Sequence, residues 1–214
     1  MILSDNMANE GNANDTPAAI PKRPFGSVCK NQRLPDAVSM VGLGCSSFST
    51  FFWDRDEEPS ADWSVDGLDR NHPRVKAWIR TIDYAVTVAG ITLLDTAPWY
   101  GHGTSEVVIG WSLEELCSSR GFPREQLIIN TKVGRYEADP SEQFDYSAAA
   151  TLHSVQRSLQ RMKCGNYIDV LQLHDPEFSP SLNILMKETI PAMIKCQEKG
   201  WCRALGITGK SEVH

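Results

Sequence analysis

No apolar stretch in this chain of 214 residues approaches the roughly 20 residues that cross a bilayer. The N-terminus lacks the apolar centre of a secretory signal, and Asp5, Glu10 and Asp15 argue against a transit peptide. The six cysteines, at 29, 45, 117, 164, 196 and 202, form no Cys-x-x-Cys pair. That argues against a zinc site or disulfide framework and reads as reduced thiols in a cytoplasmic setting. The five histidines show no ligand spacing, so no metal is expected. Basic residues number 21 against 27 acidic ones, well mixed along the chain. With no basic stripe or polybasic run, neither nucleic acid nor a membrane surface is expected as a partner. The Rossmann fingerprint G-x-G-x-x-G is also missing: after Gly42-Leu43-Gly44 and Gly101-His102-Gly103, Ser47 and Glu106 stand where the third glycine belongs.

What is present is an alternation of short β-branched runs with longer amphipathic ones. Residues 1–36 read as a disordered N-terminal tail, most clearly over the first 20, rich in Asn, Ala, Asp and Pro. A single domain then runs over 37–214. A first strand is expected at 38–45, followed by a polar insert loop at 49–70. A helix is expected from Pro73, with Val75, Trp78, Ile79, Ile82, Ala85, Val86 and Ala89 on one face and Gly90 as its stop. Further strands are expected at 91–95, 127–132, 168–173 and 201–208. The intervening helices fall at 104–119, 147–163 and 182–199, the last kinked at Pro191.

Strands alternating with helices imply a parallel α/β sheet. The polar residues Asp95, Lys132, His174 and Thr208 all sit where a strand ends, with Tyr100 in the loop after the second. A parallel (β/α)8 barrel opens all such ends on one face and builds its site there. An open doubly wound sheet would concentrate its site at one switch point, so the barrel is favoured. About five of its βα units are present.

The chemistry centres on Tyr100. A phenol with a lysine, a carboxylate and an imidazole beside it is a proton-transfer device for a carbonyl. A free tyrosine has a pKa of about 10, and a neighbouring ammonium favours the phenolate.

Four ordered motifs are Leu94-Asp95-Thr96-Ala97-x-x-Tyr100-Gly101, Thr131-Lys132, Leu173-His174-Asp175 and Gly206-Ile207-Thr208-Gly209. Together they resemble the motif set of the aldo-keto reductases. Thr131-Lys132-Val133-Gly134-Arg135-Tyr136, Phe144-Asp145-Tyr146-Ser147, His174-Asp175-x-Glu177-Phe178 and Glu188-Thr189-Ile190-Pro191-Ala192 extend the likeness to the L-galactose and D-arabinose (D-threo-aldose) dehydrogenase group.

The resemblance implies a (β/α)8 barrel that binds NAD or NADP and acts on a small sugar or carbonyl substrate. It implies Tyr100 as general acid or base, Lys132 as the cation that favours its phenolate, Asp95 as the group that fixes Lys132, and His174 as the residue that orients the substrate oxygen. Gly44, Cys45, Ser46, Asp95 and Thr208 are implied as cofactor contacts, although Gly44-Cys45-Ser46 is equally readable as a tight turn. Where many family members carry Ser-Asn, this chain has Thr208-Gly209, which removes a side-chain donor at the second position. With three βα units unaccounted for, the chain is expected to be a C-terminally truncated fragment. Two other functions stay open: a Schiff-base lyase using Lys132, and a catalytically incomplete reductase-like regulatory or partner-binding protein.

Overall fold

In the computed structural model, residues 18–24, 34–49 and 62–210 are described. Most of the expected tail and most of the expected insert loop lie outside them. Strand β1 (Lys22–Pro24) pairs antiparallel with β2 (Ala37–Ser39), so residues 22–24, placed in the tail from sequence, form one arm of a ribbon. Reciprocal bonds fix that ribbon to the start of the second barrel strand: the Ser39 amide donates to Thr92 Oγ1 and the Thr92 amide to Ser39 Oγ, both at 2.9 Å.

The expected strand at 38–45 is therefore two strands. Val38 belongs to the ribbon, whereas β3 (Leu43–Gly44) belongs to the main sheet. Between them Met40 and Val41 are exposed. The run of apolar residues is continuous, but the chain changes partners inside it, and periodicity carries no mark of that change.

The main sheet has the order β3, β4 (Leu93–Asp95), β5 (Ile128–Val133), β6 (Ile168–His174) and β7 (Cys202–Thr208), every pair parallel. Sequence neighbours are spatial neighbours, and helical segments lie between successive strands from β3 onward. These five strands and the four helical segments between them form part of a (β/α)8 barrel.

Helix α1 (Pro73–Thr87) starts where His72 Nδ1 accepts from the Arg74 amide and Pro73 takes the first turn, where no amide donor is needed. It buries Val75, Ile79, Ile82, Ala85 and Val86, the face that its sequence spacing marks. Helix α2 (Thr104–Leu113) runs into a π-helical turn, Glu114–Ser119. Helix α3 (Ala148–Met162) is capped by Ser147, whose Oγ accepts from the Ala150 amide.

The expected helix at 182–199 is interrupted. A first turn, α4 (Leu182–Ile184), leads through a π-helical turn, Leu185–Thr189, to α5 (Ile190–Glu198). Pro191 has no amide to donate to a preceding carbonyl, and the wide turn just before it takes up the mismatch.

Register sorts the strands' side chains into two faces. Asp95 stands opposite Asn130, Lys132 opposite Gln172, Gln172 opposite Gly206, and His174 opposite Thr208. The alternate residues, Leu94, Ile129, Val133, Leu171 and Leu173, are buried in the core with Ile82, Ile109, Val155 and Cys196 of the helices. At the amino ends of the strands, Asp169 is fully buried. It accepts from Arg124 at 2.7 Å, Arg203 at 3.3 Å and the Ile129 amide at 2.9 Å. Both guanidiniums lie over the Tyr167 ring, so one carboxylate joins the starts of three strands.

Helices α2 and α3 touch through Gly110, where an added Cβ would overlap the Arg161 carbonyl oxygen. Gly110→Ala is expected to push these helices apart and cost about 1–3 kcal/mol, read as a lower urea midpoint in equilibrium unfolding.

Candidate active site

The Lys132 ammonium, 4% exposed, is the hub of the carboxyl-end face. It donates to Asp95 Oδ2 at 2.9 Å and Oδ1 at 3.0 Å, to the Thr96 carbonyl at 2.8 Å and to the Tyr100 hydroxyl at 3.3 Å. Asp95 Oδ1 also accepts from Asn130 Nδ2, which donates in addition to Gln172 Oε1 at 3.1 Å. A buried ammonium is tolerated when paired and fully hydrogen-bonded, and that condition holds here.

Tyr100 opens a tight turn, Tyr100–Gly103, in which Gly101, His102 and Gly103 all take left-handed backbone angles. The turn is held from below. The Arg161 guanidinium packs where a Gly103 Cβ would stand, and Arg161 pairs with the fully buried Glu106 at 3.1 Å. Thr131, the residue before Lys132, donates to the other oxygen of Glu106 at 2.8 Å. One buried carboxylate thus ties the turn carrying Tyr100 to the strand carrying Lys132.

His174 ends β6 with its ring edge-on to Tyr100, the centroids 6.2 Å apart and the planes at 90°. Burial, reinforced by the positive charges of Lys132 and Arg135, pushes its imidazole down to about 3. The ring is therefore neutral near pH 7, and its buried Nδ1 has no partner among the described residues.

Asp95, Tyr100, Lys132 and His174, named from sequence, are thus brought to one place. Gly44 is exposed at the end of β3, paired with Asp95. Cys45 is buried in a tight turn: its amide donates to the Asp95 carbonyl at 2.8 Å, and its carbonyl accepts from Ser105 at 2.8 Å. Burial pushes the Cys45 thiol well above its ordinary range, which makes it an inert structural thiol. Ser46, half-buried, lies in the same turn, its carbonyl accepting from Ser49 Oγ at 2.6 Å. Thr208 is half-buried and pairs with His174, while its carbonyl accepts from the Asp175 amide at 2.8 Å.

Sequence reasoning passed over Asn130 and Gln172, although each stands two residues before a named site residue and so shares its face. It also gave no role to Glu106, or to Arg135 although that residue lies in the Thr131–Tyr136 motif, because their partners are 25 and 40 residues away. A nicotinamide cofactor fits the residues present. Buried Asn130 Oδ1 and His174 Nδ1 are polar atoms on this face without partners among the described residues, and none of those residues stands where a Gly44 side chain would be, which leaves room for an approaching group.

Comparison with known proteins places the chain in one family. The profile of the Aldo/keto reductase family matches residues 63–214. L-galactose dehydrogenase of Arabidopsis thaliana is 42% identical over 120 residues, covering 56% of this chain and 34% of that protein. D-arabinose 1-dehydrogenase of Saccharomyces cerevisiae is 39% identical over 120 residues, covering 56% and 33%. The matches thus span about a third of these curated relatives' length. Among solved structures, an aldo-keto reductase from Bacillus halodurans superposes with a TM-score of 0.57 at 27% identity, covering 89% of this chain and 50% of that one.

The depressed His174 makes stability depend on pH. In the unfolded chain an imidazole takes up its proton near 6.5, whereas folded His174 does so only near 3. The unfolded state therefore binds the extra proton between these values. Its contribution to stability is fully present above about 6.5 and is lost by up to about 1.4 kcal/mol per pH unit as pH falls towards 3. Urea unfolding at pH 7.5, 6 and 5 is expected to show a steeper loss for wild type than for His174→Gln.

Proposed function

Because the chain belongs to the aldo/keto reductase family, we propose that it carries the proton-handling part of an oxidoreductase. The reaction is oxidation of an aldose at its anomeric hydroxyl to the lactone, or the corresponding carbonyl reduction in reverse. The observation that carries this reading is the Lys132 ammonium set between the Asp95 carboxylate and the Tyr100 hydroxyl, with uncharged His174 facing the same phenol. The sugar as substrate class is supported by the L-galactose and D-arabinose dehydrogenases among the relatives.

In the oxidative direction Tyr100 accepts the proton of the anomeric hydroxyl as the carbon–oxygen double bond forms. The acceptor is the Tyr100 phenolate, to which Lys132 donates a hydrogen bond; it becomes the neutral phenol as it takes the proton, and Asp95 holds Lys132 in place while offsetting its charge. His174 stays neutral, so its ring nitrogen is free to donate a hydrogen bond to the substrate oxygen without competing for the proton. When bound, NAD or NADP supplies the hydride acceptor. Gly44, Ser46, Asp95 and Thr208, with the Cys45 backbone, are the residues that would hold it. Asn130 and Gln172 brace Asp95 and complete the polar floor.

A Schiff-base role for Lys132 is disfavoured by its surroundings. Its N–H groups are all engaged by Asp95, the Thr96 carbonyl and Tyr100, leaving no free amine to attack a carbonyl.

Tyr100→Phe removes the proton carrier and keeps the ring. Turnover measured as nicotinamide reduction with L-galactose, D-arabinose or L-fucose is expected to fall by about 10²- to 10⁴-fold, with cofactor affinity unchanged by fluorescence titration. Equal rates for the two proteins would refute the assignment.

A further inference from the structure

Arg135 follows Lys132 by three residues and is half-buried above the same strand ends. Its Nη1 donates to Asp175 Oδ2 at 2.8 Å, its Nε donates to Gln143 Oε1 at 3.0 Å, and its guanidinium lies 3.5 Å from the centroid of the Trp99 ring. Trp99 is the residue before Tyr100, and Asp175 is the residue after His174. Behind the guanidinium, Phe144 lies 5.2 Å away and stacks on Phe178 at 4.7 Å. Three loops, following β4, β5 and β6, therefore meet on one planar cation.

We propose that Arg135 is a positioning residue for the proposed oxidoreductase reaction: by clamping Trp99 and Asp175 it sets the spacing of Tyr100 and His174 and keeps Asp175 from pairing with His174. This rests on the reading of Tyr100 and His174 given above.

The geometry contains a competition. Asp175 Oδ2, the oxygen bound by Arg135, is also 3.7 Å from His174 Nε2. Asp175 itself sits in a left-handed conformation, φ 47°, which an aspartate adopts at a cost. The Tyr146 hydroxyl donates to the Asp175 and His174 carbonyls and helps hold that corner. With Arg135 present, the carboxylate is satisfied away from the imidazole. Without it, the carboxylate is left facing the His174 imidazole, whose protonated form it favours.

The charged and titratable groups around His174 are Lys132 and Arg135 from the β5 side, Asp95 and Tyr100 from the β4 side, and Asp175 and Glu177 on its own loop. Lys132 and Arg135 oppose protonation of the ring; Asp95 and Glu177 favour it. Removing Arg135 shifts this set in one direction.

The test pairs an NMR titration of the His174 ring, in protein without cofactor, with steady-state kinetics. In Arg135→Gln the His174 titration is expected to move up by about 1–3 pH units. In the same variant kcat is expected to fall by about 10- to 100-fold, as a displaced Tyr100–His174 pair requires, with a smaller change in KM. Arg135→Lys keeps the charge beside Asp175 but loses the planar stack on Trp99; it is expected to restore the wild-type titration and only part of kcat. Asp175→Asn breaks the same link and leaves the guanidinium in place, so it serves if Arg135→Gln does not fold: kcat is expected to fall while the ring stays neutral.

A loss of kcat in Arg135→Gln with an unchanged His174 titration overturns the proposal, as does a kcat within twofold of wild type. For Asp175→Asn, a kcat within twofold of wild type overturns it. Absence of wild-type turnover on every aldose would count against the aldose reading alone, because the titration is measured without substrate.

Discussion

A buried ammonium organises this protein. Removing the charge of Lys132 from water is unfavourable by several kcal/mol unless acceptors surround it, and one stretch of chain, residues 95–100, must lie against β5 to provide them. Asp95 comes from β4, the Thr96 carbonyl from the residue beyond it, and the Tyr100 hydroxyl from the turn that follows. The parallel pairing of β4 with β5, Asp95 opposite Asn130, sets the carboxylate beside the lysine. A one-residue slip would turn either side chain to the helix side of the sheet. The arrangement that makes the lysine tolerable in the fold is the one that places it against a phenol.

Two buried carboxylates anchor the frame around that hub. Asp169 gathers the amino ends of β5, β6 and β7 through Arg124, Arg203 and a backbone amide. Glu106 does the corresponding work near the carboxyl ends, joining Arg161 under the Tyr100 turn to Thr131 beside Lys132. Each is fully buried and each is matched by arginine, the cation whose planar fork suits a carboxylate in a dry site. The polar face is therefore held from behind by charged networks as well as by the apolar core.

Much of this was legible in the chain. The helices starting at Pro73 and at Ser147–Ala148 follow from apolar spacing and caps; of the seven residues expected on the inner face of α1 it buries five, while Trp78 is half-buried and Ala89 lies past its end at Thr87. Asp95, Lys132, His174 and Thr208 were recognisable because each ends a strand, and parallel strands bring such ends together. The ribbon of residues 22–24 with 37–39 was not legible: three-residue strands are too short to show a period, and their pairing is decided by contacts with Thr92 far along the chain. The break in the helix at 185–189 was foreshadowed by Pro191, but its form as a wide turn depends on local packing.

Local spacing and the chemistry of single side chains mark the alternation of strands and helices, the polar residues at strand ends and the candidate set Asp95, Tyr100, Lys132 and His174. The fold adds that burial keeps His174 uncharged, that the Lys132 N–H groups are engaged, that Cys45 is sealed in a turn, and that Arg135 bridges the loops of Tyr100 and His174. Each of those depends on burial and on partners tens of residues away, and the energy of a charge in a protein is set by what surrounds it in space.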